Sequence, residues 1–454
     1  MGSKPEASVV ARWLDVQRQR SGLSVQHIPF SACRGWKLDD GRLRHASGRF
    51  FSVAGFCCSS NADHLDGLSF PMIDQPEIGI LGFVVRLSPA GWQWMLQAKT
   101  EPGNVGGTQV GPTVQATRSN YCRVHGGKPT PMLDLFIKDQ KGATQWIDVE
   151  QSEQGDRFLG KYNRNAVVLV DGNFAPPDGE NWQWFLARDV LQALHTDFAV
   201  NTDARSVLWC SDWAHLLESG ENVPFARWRG QGGFGERLLD SFLVSKNEGS
   251  HETAMARLHA VSAQTTIHLA EAGLEALPGW YFEDMGIVPA GNEGGGMAIQ
   301  AFSVFARDRE VISWSQPLLV SRCEQRVVLA CTERAGLLHF ALTISVEPGF
   351  REKAQFGPSW VSGLGHANPA QWPGLLERMD PMVHATVLQS DEGGRFMNSV
   401  VRYTIIELPS TVLDEISPEQ IVWVTLSDLR RMAASRGLLN NELRSVLSLL
   451  LYWV

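Results

Sequence analysis

The sequence has no run of ~20 consecutive apolar residues, so nothing in it is built as a membrane-spanning helix. The apolar stretch from Val446 to Val454 is too short for that role. A basic surplus is also missing. Lys and Arg number 40 against 49 Asp and Glu, a net charge of −9. That excludes a chain whose main partner is nucleic acid or an anionic membrane, since both demand a broadly positive surface. The opening residues Met1-Gly2-Ser3-Lys4-Pro5-Glu6 lack the apolar core of a secretory leader. Cysteine is sparse and unpaired in pattern: seven residues, an odd count, with no C-x-x-C spacing. The expectation is a reduced, cytoplasmic protein without a disulfide framework or structural zinc. Cys57 and Cys58 are expected on a strand. What is present is ordinary for a globular chain: 454 residues, 44% hydrophobic and 20% charged, enough to bury a large core.

The sequence repeats itself. Glu101-Pro102-Gly103 recurs as Glu347-Pro348-Gly349 at an offset of 246, where Gln109 also meets Gln355 and Gly111-Pro112 meets Gly357-Pro358. Gln151 to Phe158 recurs as Gln389 to Phe396 at 238. Trp184, Asp189, Asn201 and Arg205-Ser206-Val207-Leu208 meet Trp423, Asp428, Asn440 and Arg444-Ser445-Val446-Leu447 at 239. Arg12 meets Arg257, and Gly35-Trp36 meets Gly279-Trp280. Ordered blocks with slowly drifting offsets mark an internal duplication. The expected division is a first repeat at 1–225, a linker at 226–250 and a second repeat at 251–454.

Each repeat opens with a segment of near-helical apolar spacing, Val9 to Arg20 or Glu252 to Gln264. In the first repeat, strands are expected at Phe50 to Cys57, Ile78 to Leu87, Trp92 to Ala98, Met132 to Ile137 and Asn165 to Val170. Helices are expected at Ala187 to His195 and Asp203 to Cys210. Strands without regular helical crossovers predict an α+β fold of mixed sheets.

The two copies differ in chemistry. From Val105 to Pro131 there is no acidic residue, yet Arg118, Arg123, His125 and Lys128 lie there. In an acidic chain, such an island suits a phosphate group. Lys99, Gln109, Thr113, Gln115, Asn120 and Tyr121 add polar side chains around it. The second copy has Ser345 in place of Lys99 and Val361 in place of Gln115. One working site, in the first copy, is expected.

The run Gln97 to Asn104 followed by Pro112 to Tyr121 resembles the NDP-hexose 2,3-dehydratase family, as do Gln151 to Gly155 and Asn163-Arg164-Asn165. The resemblance spans essentially the whole chain. It implies two fused Nudix-like units, a homodimer and a dTDP-4-keto-6-deoxyglucose substrate in deoxysugar biosynthesis. The second copy departs from the family pattern, carrying Pro358-Ser359-Trp360-Val361 where a second Pro-Thr-Val-Gln-like stretch is usual. The implied reaction needs a base, a donor for an enolate oxygen and an acid for the leaving hydroxyl, with no redox cofactor and no metal. Lys99, Glu101, Tyr121 and His125 are the candidate catalytic groups. Because Glu347 repeats Glu101, a structural role for Glu101 stays open. Gln109, Thr113, Gln115, Arg118, Asn120, Arg157, Asn163 and Arg164 are the candidate substrate-binding residues, with Trp92, Trp94 or Phe158 as stacking surfaces for the base; because Arg395 and Arg402 repeat Arg157 and Arg164, a fold-holding role for those two stays open. A nucleotide-sugar binding protein without catalysis and a Nudix-type diphosphate hydrolase are the alternatives. The hydrolase's carboxylate box is absent from the sequence.

Overall fold

A computed structural model describes residues 8–117, 130–137, 143–218, 221–244, 250–291, 297–307, 311–362, 372, 374, 378, 381–411 and 421–454. The expected opening helix forms at Val9–Arg20, and its counterpart at His251–Gln264. The first is capped by the Ser8 side chain, which accepts from the backbone N–H of Ala11.

The duplication is visible in the sheets. Each repeat builds a seven-stranded mixed sheet. In the first, Ala143–Ser152, Tyr162–Val170, Gly79–Ser88, Gly91–Thr100 and Trp182–Leu186 lie side by side, with Thr108–Gly111 and Val114–Ala116 added at the flank. In the second, Met382–Ser390, Val400–Glu407, Gln325–Arg334, Leu337–Val346 and Val422–Val424 follow the same order. A parallel strand pairing falls at the same place in both, Tyr162–Val170 on Gly79–Ser88 and Val400–Glu407 on Gln325–Arg334. Even the register shift recurs, between Gln145 and Ile147 and between Val383 and Ala385. The fold is therefore α+β with two copies of one mixed-sheet unit.

The two units exchange strands. Ser24–Ile28 of the first pairs with Met297–Phe305 of the second, and Ile267–Ala272 of the second pairs with Ser52–Ser60 of the first. Each smaller sheet is thus completed by the other unit, which covers an edge that would otherwise be open.

The repeated motifs lie at the join between the units. Gly103 (φ +98°) and Gly349 sit against the other unit's backbone so closely that a Cβ would meet the carbonyl oxygen of Phe396 or Phe158 at 1.9 Å in either case. Gly394 N–H donates to Pro102 O at 2.7 Å, and Gly349 N–H donates to Gly155 O at 2.7 Å. No side chain fits there, which explains the repetition of Glu-Pro-Gly. The helices Thr202–Cys210 and Asn441–Leu447, capped by Asn201 and Asn440, are buried along their length. Arg205 donates to Gln389 and Ser448 of the second unit, while Arg444 donates to Ser206 and the Ser152 carbonyl of the first. Both guanidiniums are inside the protein, and their hydrogen bonds offset the cost of burial.

One expectation needs correcting. Met132 to Ile137 is not a strand: it is a turn leading into the helix Asp134–Ile137, whose Phe136 packs over Gly82. Such a short apolar run does not distinguish the two states by periodicity. The stretch 226–250, expected as the linker, contains the helix Gly233–Leu243. The Ser241 hydroxyl of that helix donates to Leu338 O and accepts from Leu426 N–H, fixing it on the second unit. Cys58 is buried on the strand Ser52–Ser60 as expected, while Cys57 is half-buried.

Candidate functional site

The strand Gly91–Thr100 ends at a cleft of about 990 Å³, within the ~300–1,000 Å³ range usual for ligand pockets. Alternation along the strand buries Ala98 and turns Lys99 toward the opening. Glu101, Gln115, Lys161 and Asn163 of the first unit share the lining with Lys99. The opposite wall comes from the second unit: Trp314, Gln316, Glu392 and Arg395. Trp36, His45 and Phe50 form an aromatic rim in mutual contact. The site expected in the first copy is thus built by both.

Lys99 Nζ lies 3.1 Å from a Glu101 carboxylate oxygen. In the second copy, the Ser345 hydroxyl donates to Glu347 at 2.7 Å, so the local pairing is kept but the cation is gone. Exposure separates the copies further. The Lys99 and Glu101 side chains are 16% and 15% exposed, whereas Ser345 is 7% and Glu347 0% exposed. Phe350, which follows the second Glu-Pro-Gly, packs on Gly155 and fills the space. Burial pushes the Glu347 carboxyl up to about 7.

Behind Lys99, three carboxylates from separate segments converge. One oxygen each from Glu153, Asp203 and Glu392 lies within 4.8 Å of the others. No local spacing in the sequence points to this cluster, because its members are far apart in the chain. Their arrangement suits a divalent cation or a shared proton. Burial, opposed by Arg395 and Lys99 and reinforced by Glu153 and Glu101, pushes Glu392 up to about 7. Burial and the neighbouring Glu392 and Glu153 hold Asp203 well above the usual carboxylate range. Glu153 is raised by burial, which outweighs Arg444 and its hydrogen bonds from Asn163 and Asn441. Burial lowers Lys161, whose ammonium donates to the Glu77 carbonyl.

The other expected site residues divide clearly. Gln115 borders the cleft and accepts from Asn201 at 3.3 Å. Asn163 also borders it, but its amide bridges Gly79 N–H and Glu153. Thr113 reaches the lining while its hydroxyl accepts from Val84 N–H and donates to Met95 O. Ser359 makes the same clamp in the second copy, accepting from Ala330 N–H and donating to Ala341 O. Gln109 is fully buried and donates to Ser390, mirrored by Ser152 donating to Gln355. Arg157 is buried against Asp391, and Arg164 pairs with Asp148. These three lie off the cleft lining. Arg118, Asn120, Tyr121 and His125 fall outside the described residues. Trp94 and Phe158 are core residues and Trp92 packs against Trp146 and His215, whereas Trp36, His45 and Phe50 border the cleft.

Sequence reasoning missed Glu392, Asp203 and Lys161. A signal existed for Glu392: in the repeated Gln151 to Phe158 block it stands opposite Gln154, a carboxylate gained in the second copy only. Asp203 stands opposite Glu442 and carried no such contrast.

The NDP-hexose 2,3-dehydratase family profile matches residues 7–211 and again 252–450, one match per unit. A dTDP-4-dehydro-6-deoxy-α-D-glucopyranose 2,3-dehydratase of Saccharopolyspora spinosa is 33% identical, covering 96% of this chain and 89% of its own length. The Streptomyces violaceoruber enzyme of the same name is 31% identical over 93% of this chain and 92% of its own. That of Amycolatopsis orientalis is 28% identical over 97% and 89%. With both repeats matched and the motif residues Lys99, Glu101 and Gln115 gathered at one cleft, the chain belongs to the NDP-hexose 2,3-dehydratase family.

Proposed function

We propose that this dehydratase removes water across carbons 2 and 3 of dTDP-4-keto-6-deoxyglucose, giving the 3,4-diketo-2,6-dideoxy sugar nucleotide. The carbon 4 ketone acidifies the carbon 3 proton. Loss of that proton gives an enolate, which expels the carbon 2 hydroxyl, and the resulting enol tautomerises to the diketone.

The observation that carries this reading is an ammonium paired with a carboxylate inside a cleft of sugar-nucleotide size. Lys99 steadies the enolate oxygen as charge develops, where a fixed cation is worth most because water is scarce. Glu101 takes the carbon 3 proton, and Tyr121 and His125 are further proposed acid–base groups. Gln115, Asn163 and Thr113 shape the sugar end, with Arg118 and Asn120 proposed for the diphosphate and nucleoside. Arg395 supplies a second positive group on the opposite wall. The rim of Trp36, His45 and Phe50 provides flat faces for the base. The finer description also belongs to this proposal: Nudix-like units at 1–225 and 251–454 joined through 226–250, a homodimer, and a cytoplasmic location.

The test is incubation with dTDP-4-keto-6-deoxyglucose in deuterated water. Dehydration with deuterium entering the product at carbon 2 is expected. Recovery of unchanged substrate would favour a binding protein, and release of dTMP would favour a hydrolase.

A further inference from the structure

We propose that Glu392, contributed by the second unit, is the general acid that protonates the departing carbon 2 hydroxyl in the first unit's site. This rests on the dehydratase reading and adds a catalytic residue to it.

The argument begins with position. Glu392 lies in the turn after the strand Met382–Ser390, where Gly393 meets Glu101 and Asn104 and Gly394 N–H donates to Pro102 O. The interlock between the units therefore holds Glu392 on the cleft wall opposite Lys99. Gln154 occupies its repeat position in the first unit, so only one of the two positions carries an acid.

Surroundings decide its role. Lys99, Glu101, Glu153, Lys161, Asp203 and Arg395 are the charged groups that act on the Glu392–Asp203 pair. Lys99 is engaged with Glu101, while Lys161 donates to the Glu77 carbonyl and Arg395 to Gln75. Among the described residues the buried Asp203 Oδ2 atom has no hydrogen-bond partner. Three crowded carboxyls in this setting do not all ionise, so the cluster retains a proton. Glu392 is its member on the cleft wall. A carboxyl that keeps its proton near neutral pH serves as an acid, and Glu101, paired with Lys99, serves as the base.

The step balances. The carbon 3–hydrogen bond breaks and its proton passes to the base. The electron pair moves through the enolate into the new carbon 2–carbon 3 double bond. The carbon 2–oxygen bond breaks, and the oxygen takes the Glu392 proton and leaves as water. Glu392 is left as a carboxylate and regains a proton from solvent.

The experiment compares wild type with Glu392→Gln on dTDP-4-keto-6-deoxyglucose in deuterated water, with thermal melting of each protein as a folding control. Dehydration is expected to fall by ~10²–10⁴-fold. Exchange of the carbon 3 proton in recovered substrate should continue, because the base and Lys99 remain. Glu392→Asp should restore part of the dehydration. The wild-type rate should decline as pH rises above about 7, and Glu153→Gln should move that limb to lower pH by removing a neighbouring carboxylate that raises Glu392. Dehydration by Glu392→Gln within threefold of wild type would overturn the proposal. So would equal loss of exchange and dehydration, or an unmoved limb in Glu153→Gln. Wild-type activity abolished by EDTA and restored by Mg²⁺ would assign the carboxylates to a cation instead. If wild type leaves the keto sugar untouched, the dehydratase reading itself fails, independently of Glu392.

Discussion

Gly103→Ala tests the interlock on which the site depends. At Gly103, φ is +98° and a Cβ would sit 1.9 Å from Phe396 O, 2.9 Å from its carbonyl carbon and 3.0 Å from Met397 Cα. These are backbone atoms, so no rotamer change relieves the contact. The facing segments are tied by Gly394 N–H donating to Pro102 O at 2.7 Å and Asn398 N–H donating to Gly103 O at 3.0 Å. Separating them forfeits two hydrogen bonds worth about 1 kcal/mol each. The left-handed backbone adds roughly 1–2 kcal/mol for a residue with a Cβ. The expected loss is therefore about 3–4 kcal/mol. Gly48→Ala is the control, since φ there is +65° and a Cβ would meet nothing within 4 Å. It should lose only the backbone share, about 1–2 kcal/mol. Urea unfolding followed by tryptophan fluorescence reads both. Equal losses for the two variants, within ~0.5 kcal/mol, would refute the claim that Glu-Pro-Gly is kept for this close approach.

Removing the cation with Lys99→Ala should lower kcat by ~10²–10³-fold, whereas Ser345→Ala should stay within about threefold, as steady-state assays will show. Arg157→Ala leaves Asp391 buried without its guanidinium and should cost ~3–5 kcal/mol in denaturant unfolding. Arg164→Ala, which loses a partly exposed pair with Asp148, should cost no more than ~1 kcal/mol. Burial raises Glu347 and Glu392 to about 7 in the folded chain, above their ordinary value of 4.5. The folded state then binds more protons than the unfolded state between those values, so this contribution to stability is complete below 4.5 and is lost as pH rises through 7. Melting temperatures should decline from pH 5 to pH 8. A steady rise across that range would contradict the buried-acid assignment.

Much of the fold was legible because it rests on local signals and on repetition. Val9–Arg20 shows its period, and the duplicated blocks by themselves mark the two units. The strand exchange was not legible. Ser24–Ile28 is a short segment with no strand signal singled out in the sequence, and nothing local names Met297–Phe305 as its partner. The site was half legible. Lys99, Glu101 and Gln115 stand out as a polar motif, and they do meet at the cleft. Gln109, Arg157 and Thr113 stand out for the same reason, yet their polar groups make buried bonds that hold strands and units together. Sequence polarity alone does not separate a side chain that meets a ligand from one that satisfies the interior. The recurrence of Thr113 as Ser359 and of Gln109 as Gln355 pointed toward the second role. Glu392 was hidden by the opposite error: it belongs to the copy that carries Ser345 in place of Lys99, and only the interlock brings it to the other copy's site.

The most direct measurement of the central claim is a crystal structure with dTDP bound. The account predicts the ligand in the cleft between Lys99 and the second unit's wall of Trp314 and Arg395, with the base against Trp36, His45 or Phe50. A nucleotide seated instead beside Ser345 and Glu347, with the Lys99 cleft empty, would contradict it.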